Sequence, residues 1–398
     1  MPTAVIVDAV RTAGGKRNGR LSGWHPADLA AETLTALTER NQLDPALIDD
    51  VIMGCVMQVG AQALNVARSA VLAAGFPESV PATTVDRQCG SSQQALHFAA
   101  QGVIAGAYDV VIAAGVEVMS LVPMGASLSV AKVGRPFGPR VEDRYREVGG
   151  LVPQGISAEL IADRWSLTRE DLDVYGARSQ QLAARATEEG RFAQEIIAVR
   201  ARLRDRETGT VQEGGELVDS DDGIRPDTTA QTLASLRPAF KPDGKVTAGN
   251  SSQITDGASA TLVMSEEKAV SLGLTPRARF HAFALAGVDP VTMLSGPILA
   301  TTKVLDRAGI SLDDLDLIEI NEAFASVVLA WAAEHHPDMD RVNVNGGAIA
   351  LGHPLGASGT RLTATLLHEL ERTKGRWGLL TMCEGGGLAN AVVIERLG

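Results

Sequence analysis

A strand, a Gly/Ser-rich turn, a helix and a second strand occur in that order twice in this chain. The first copy is TTVDRQCGSSQQALHFAAQGVIAGAYDVVIAAGVE; the second, RVNVNGGAIALGHPLGASGTRLTATLLHELERTKGRWGLLTMCEGG, has a longer turn. We read the pair as an internal duplication, which restricts the fold to two similar α/β cores in which helices cover sheets. Short β-branched runs supply the predicted strands: TAVIVDAV (3–10), DDVIMGCV (49–56), DVVIAAGVEVM (109–119), ASATLVMS (258–265), LDLIEINEA (315–323), RWGLLTMCE (376–384) and LANAVVIERL (388–397). Amphipathic stretches such as ADLAAETLTALTERN alternate with them as helices.

Between the copies, over 121–248, the texture turns charged and rich in Pro and Arg, with helical pieces such as TREDLDVYGARSQQLAARATEEG. The expected organisation is an N-terminal core over 1–120 completed by 249–270, an inserted segment over 121–248, and a C-terminal core over 271–398. An insertion of this length on a duplicated core suits a functional cap; the alternative is a solvated ornament.

With 398 residues and 45% hydrophobic content, the chain can bury large cores. A net charge of -12 argues against nucleic acid or an anionic membrane surface as the main partner, so a polyanionic ligand would need a local basic patch. Three cysteines, Cys55, Cys89 and Cys383, favour free thiols in a reducing compartment, with cytoplasm the expected location. The sequence carries no run of membrane-spanning length, no signal-peptide pattern and no peroxisomal address. CxxC and HExxH are both absent and His335–His336 suit a solvated helix end, so no metal site is expected.

Cys89, His353 and Cys383 each sit in a Gly/Ser-rich setting where backbone N–H groups can reach a reacting atom, the construction of an acyl-transfer site. Cys89 precedes a helix whose positive dipole end would favour thiolate; the alternative is a small buried cysteine at a tight turn. His353 lies in a loop stiffened by Pro354, either a base or simply a surface histidine. Cys383 ends an apolar strand beside Glu384 and three glycines, as a proton shuttle or a buried strand residue. Asn321 and Glu322 interrupt an apolar pattern at a strand-to-helix junction, where Asn is also an ordinary N-cap. Ser252, in a turn, and Arg225, in a charged segment, are weak signals of binding, because turn serines satisfy their own backbone and such arginines are usually solvated. Cys55 has no motif and is expected in the core.

Four blocks bear a family likeness in their order: CGSSQQA (89–95), AGNSSQITDGA (248–258), EINEAFA (319–325), and GGAIALGHPLGASG (346–359) followed by CEGGG (383–387). On these the chain resembles the thiolases, acetyl-CoA acyltransferases. The resemblance implies two five-stranded α/β core domains, a loop domain inserted in the first, and an obligate homodimer or homotetramer. It implies that Cys89 carries the acyl group, that His353 takes its proton, and that Cys383 protonates the departing enolate or abstracts the α-proton. The Gly385 and Cys89 N–H groups would form one oxyanion hole, His353 and a water held by Asn321 another, while Glu322 orders the local network. Ser252, Phe240 and Arg225 would contact coenzyme A, which is a substrate, with no tightly bound cofactor.

Two departures, Ser92 three residues after Cys89 and Pro153-Gln154-Gly155 in the cap, are expected to border the acyl pocket. The phrasing is similar to actinobacterial degradative thiolases, including ones that shorten steroid side chains. A biosynthetic acetoacetyl-CoA thiolase is the other reading within the family. A decarboxylating ketoacyl synthase would use two histidines with its cysteine, so Cys383 in CEGGG favours the thiolase reading, and the intact Cys89, His353, Cys383 and Asn321 argue against a carrier without turnover.

Overall fold

The protein is described by a computed structural model covering residues 2–128 and 134–398, so 129–133 of the expected cap lie outside the described residues. Its strands, in chain order, are β1 (Ala4–Thr12), β2 (Gly15–Lys16), β3 (Asp50–Gly54), β4 (Ala82–Val85), β5 (Val110–Val118), β6 (Ile196–Ile197), β7 (Val199–Arg204), β8 (Val211–Val218), β9 (Thr255–Ser265), β10 (Ala278–Gly287), β11 (Leu317–Ile320), β12 (Trp377–Glu384) and β13 (Leu388–Arg396).

Two half-sheets repeat one topology. The first runs β4-β3-β5-β9-β1 and the second β11-β12-β13-β10, and they join where β1 meets β10 antiparallel at Val5 opposite Arg279 and Ile6 opposite Ala278. Each half starts at the shared seam, crosses to the outer edge and returns, so that β9 lies beside β1 and β13 beside β10. The five strands expected per core are present in the first half; in the second, the outermost place is held only by an isolated bridge between Ile318 and Val342. Asn343 explains the difference: its backbone is left-handed (φ 48°), and its side-chain amide bonds both backbone groups of Ile320, at 2.9 and 2.8 Å. A side chain there takes the ladder partners that a longer strand would have used.

β1, β5 and β9 are buried along their whole length, as strands covered on both faces must be. The cover forms three helical layers. In the middle, Leu96, Ala99 and Val103 of the helix Ser91–Ile104 and Leu362, Leu366 and Leu370 of the helix Ser358–Thr373 share one core with Ile6, Val111 and Val263 of the first half-sheet and Leu380, Val392 and Ile394 of the second. Helices Pro26–Arg40 and Val66–Ala73 close the outer face of the first half, and Gly296–Ala308 and Ala325–His335 that of the second. Each fully buried Leu or Val contributes about 1.5–3 kcal/mol.

The two central helices approach until backbone meets backbone. A Cβ at Gly359 would stand 2.1 Å from Gln93 N, and Thr360 N donates to Ser92 Oγ at 3.1 Å. Ser92 therefore faces the helix junction and does not border the acyl pocket as expected. Its hydroxyl fastens the helix after Cys89 to the helix after His353.

The inserted segment carries helices Gln154–Arg164 and Arg169–Glu188 and the β7–β8 hairpin. Arg11 of β1 anchors it, with Nε on Glu195 at 2.6 Å and Nη1 and Nη2 on Asp221 at 2.7 and 3.0 Å, all three residues buried. Among the described residues no helix is long and apolar enough to cross a membrane, and no group of three or more side chains is arranged to hold a metal ion.

Candidate active site

The loop after β4 is shaped by its own side chains. Asp86 accepts the Gln88 N–H at 2.7 Å, Gln88 is left-handed (φ 49°), and Ser91 donates to Gln88 O at 2.6 Å while accepting Arg87 N–H at 2.9 Å. A non-glycine residue held at positive φ just before the key side chain is a local cost that these bonds offset. The turn delivers Cys89, only 4% exposed, to the start of the Ser91–Ile104 helix.

Gln154 Nε2 lies 3.9 Å from the Cys89 sulfur, and the backbone N–H groups of Gly385 and Cys89 are near enough to favour its ionised form. They pull the thiol toward ionisation, but burial, and after it the charge of Glu384, outweigh them and push it up to about 12. The thiolate expected from the helix terminus is therefore not the resting form. The dipole acts at the surface of a dry pocket whose desolvation is the larger effect. Cys383, at the end of β12, is fully buried and lifted by burial, then by the nearby Cys89 and Glu384. The turn that follows is open because Gly386 and Gly387 take φ of 83° and 79°.

His353 lies between the short helix Ala348–Leu351 and the helix Ser358–Thr373. Its N–H donates to Thr255 Oγ1 at 3.0 Å and to Gln253 O at 3.2 Å. Ser358 Oγ donates to Pro354 O at 3.0 Å and lies 2.5 Å from His353 Nδ1, so Nδ1 carries the proton that this hydroxyl accepts. That assignment leaves the Nε2 lone pair 3.3 Å from Asn321 Nδ2. Burial, then Arg361, hold the imidazole down at about 3, so it rests neutral with the Nε2 lone pair free, and in the empty site it is a weak base.

Asn321 is fixed by its N–H to Thr381 O at 3.1 Å. Glu322 is the hub beside it, accepting from Tyr175 Oη at 2.9 Å, Ser179 Oγ at 2.6 Å, Asn343 Nδ2 at 3.2 Å and Ile349 N at 3.1 Å. It thus orders the junction between the cap helix Arg169–Glu188 and both catalytic-loop segments.

Two sets result: Cys89, Cys383, Gly385 and Gln154 in one, and Asn321 with His353 in the other. Among the described residues no hydrogen bond links them, but Leu355, two residues from His353, lines the same cavity as Cys89. This cavity, of about 870 Å³, has Met57, Met124, Leu128, Phe137, Met293 and Leu355 on its walls, with Gln154 and Gly385 at the sulfur. Of the two sequence departures, only the Pro153-Gln154-Gly155 segment borders it, through Pro153 and Gln154.

Ser252, Phe240 and Arg225 do not line the cavity. They lie at separate points where the inserted segment meets the core. Ser252 N donates to Ala323 O at 3.0 Å, beside Asn321; Phe240 packs edge-on to Phe324, with centroids 6.0 Å apart, and over Gly155. Gln253 bonds Gly223 O at 2.9 Å, which sets the exposed Arg225 two residues away.

The family model for the thiolase N-terminal domain matches residues 4–267, and that for the thiolase C-terminal domain matches 274–396. The chain belongs to the thiolase family. This thiolase is 48% identical to a steroid 3-ketoacyl-CoA thiolase of Mycobacterium tuberculosis, covering 100% of this chain and 95% of that one. It is 47% identical to a 3-ketoacyl-CoA thiolase of Saccharophagus degradans, over 99% and 98% of the two chains. The crystal structure of the Bacillus anthracis acetyl-CoA acetyltransferase superposes with a TM-score of 0.87 at 39% identity, covering 100% of this chain and 99% of that one. The thiolase is accordingly an acyltransferase. Ser358 and Thr255, which orient His353, were not singled out from sequence, although both lie inside the quoted family blocks. Glu384 was noted only as a neighbour of Cys383.

Proposed function

We propose that this chain is a degradative 3-ketoacyl-CoA thiolase, working by ping-pong acyl transfer through Cys89. The observation that carries it is the placement of the Gly385 and Cys89 N–H groups near the Cys89 sulfur, beside Cys383. His353 Nε2 takes the Cys89 proton as the sulfur attacks the 3-keto carbon. The bond between C2 and C3 breaks, acetyl-CoA leaves as an enolate, and the Cys383 thiol supplies the proton to C2. The enolate oxygen is held by His353 and a water on Asn321, and the thioester oxygen of acyl-Cys89 by the Gly385 and Cys89 N–H groups. Cys383, now a thiolate, takes the proton of an incoming CoA thiol; CoA attacks the acyl carbon, and the released Cys89 sulfur recovers its proton from His353. Run backwards, the same steps join two acyl-CoA molecules.

The size and apolar wall of the cavity support an acyl group larger than acetoacetyl, either a long chain or a fused-ring tail. The steroid thioester named for the Mycobacterium tuberculosis relative fits this class. Coenzyme A would lie along Ser252, Phe240 and Arg225, between the N-terminal core (1–120 with 249–270) and the cap (121–248). The C-terminal core (271–398) supplies His353, Asn321 and Cys383. A cytoplasmic homodimer or homotetramer completes the proposal. The test is acetyl-CoA release across 3-ketoacyl-CoAs from acetoacetyl to long-chain and steroid thioesters. Turnover that rises with acyl bulk supports the degradative reading, and turnover confined to acetoacetyl-CoA refutes it.

A further inference from the structure

Glu384 is a carboxyl with no role in the steps above, set directly behind the nucleophile. It is fully buried, and neither of its oxygens has a hydrogen-bond partner among the described residues. Its Oε1 presses on the turn that presents Cys89: a Cβ at Gly90 would stand 2.0 Å from it and 2.7 Å from Asn390 Nδ2, which donates to Gly90 O at 3.0 Å. The groups around it are few. The loop before Cys89 brings Arg87 and Asp86, β13 brings the neutral Asn390, its own strand brings Cys383, and the Ser91–Ile104 helix carries His97, whose ring is neutral. Arg87 is the one cation of this set, and no ion pair joins it to Glu384 among the described residues.

A dry site of this kind holds one negative charge far more readily than two. We infer that Glu384 is a positioning residue that governs the nucleophile by exclusion: the Cys89 thiolate and the Glu384 carboxylate do not coexist in the resting enzyme. Glu384 fills the space a Cβ at Gly90 would need, one residue from Cys89, and ionised Glu384 raises the Cys89 thiol just as burial does. Burial pushes the Glu384 carboxyl itself up to about 8, with Arg87 opposing and Asp86 reinforcing, so it is neutral when the thiolate is needed near neutral pH. The two groups then titrate as a pair. The first proton lost comes chiefly from Glu384, and the second, from Cys89, leaves only at much higher pH.

The inference rests on Cys89 being the nucleophile, but its test needs no turnover. Iodoacetamide alkylation of Cys89 in the full chain, followed by peptide mass spectrometry from about pH 6 to about pH 10, reports the thiolate fraction. In the wild type the rate should climb with pH and level off from about 8, as added base ionises Glu384, whose charge then opposes further thiolate. Glu384→Gln keeps the shape and removes the charge, so its rate should keep climbing and exceed wild type by about tenfold at the alkaline end. A wild-type rate that rises through pH 8 without levelling, or a Glu384→Gln profile that superimposes on it, overturns the inference. Should the variant not fold, the wild-type profile alone decides. Failure of the nucleophile assignment would be distinct: no acyl mass on Cys89 after substrate, whatever the shape of the alkylation profile.

Discussion

Cys89 is a thiol at rest because its burial, and after it the charge of Glu384, disfavour the thiolate. His353, neutral in the same interior, can accept the proton only if the sulfur it leaves behind is held at once, by the Gly385 and Cys89 N–H groups and by substrate. Cys383 works on the other proton of the cycle. Cys383→Ala should therefore still accept an acyl group at Cys89 from a simple acyl-CoA, while overall thiolysis falls roughly 10²–10⁴-fold. Stopped-flow acylation and steady-state acetyl-CoA release separate the two, and near wild-type thiolysis would make Cys383 structural. Histidine burial also has a pH signature. His97, by burial and then Arg87, and His353, by burial and then Arg361, are both held down at about 3 from an ordinary value of 6.5. The unfolded chain protonates them below 6.5 and the folded one does not, so their contribution is present above 6.5 and lost as pH falls toward 3. The loss is up to ~1.4 kcal/mol per histidine for each pH unit. A urea midpoint lower at pH 5 than at pH 7 is expected, and equal midpoints would place one or both rings in water.

The helices and strands that position these groups differ in how openly the sequence declares them. β1, β5, β9, β12 and β13 are covered on both faces, so they appear as largely apolar runs and match the predicted strands within a few residues. β10 was not predicted: it alternates Arg279 and His281 toward solvent with small inward residues, a weaker pattern than a doubly buried strand. The Val342 edge was expected as a strand and is a bridge, because Asn343 satisfies Ile320 with its side chain. Motif residues were legible where backbone geometry and chemistry demand the same residue, as at Cys89, His353 and the Gly386–Gly387 turn. Ser92 against Thr360, Gln154 at the sulfur and Glu384 behind Gly90 depend on segments far apart in the chain, and no local pattern encodes them. The cap's anchor is of this long-range kind. Arg11→Met would leave Glu195 and Asp221 as buried carboxylates without their cation, at a cost of roughly 3–5 kcal/mol. Urea unfolding measures it, and a loss under 1 kcal/mol would mean the pair is solvated.

The molecule as a whole carries a net charge of -12 and must accept a polyanion, so attraction has to be local. Ser252 and Phe240 touch the loop of Asn321, through Ala323 and Phe324, and this placement supports the proposed CoA contacts. Arg225→Ala should weaken CoA binding more at low ionic strength than at high, because salt already screens an exposed charge. Ser252→Ala should cost roughly 0.5–1.5 kcal/mol with little salt dependence, as one neutral hydrogen bond does. Calorimetric titration at two salt concentrations distinguishes them, and unchanged affinity in both variants puts the CoA contacts elsewhere. The two duplicated cores and the cap converge on one sulfur, so the most direct test is covalent. Incubating the enzyme with a 3-ketoacyl-CoA in the absence of free CoA, then mapping peptides by mass spectrometry, should find the shortened acyl group on Cys89 and nowhere else. Acyl mass on Cys383 or Cys55 with Cys89 unmodified would contradict the account.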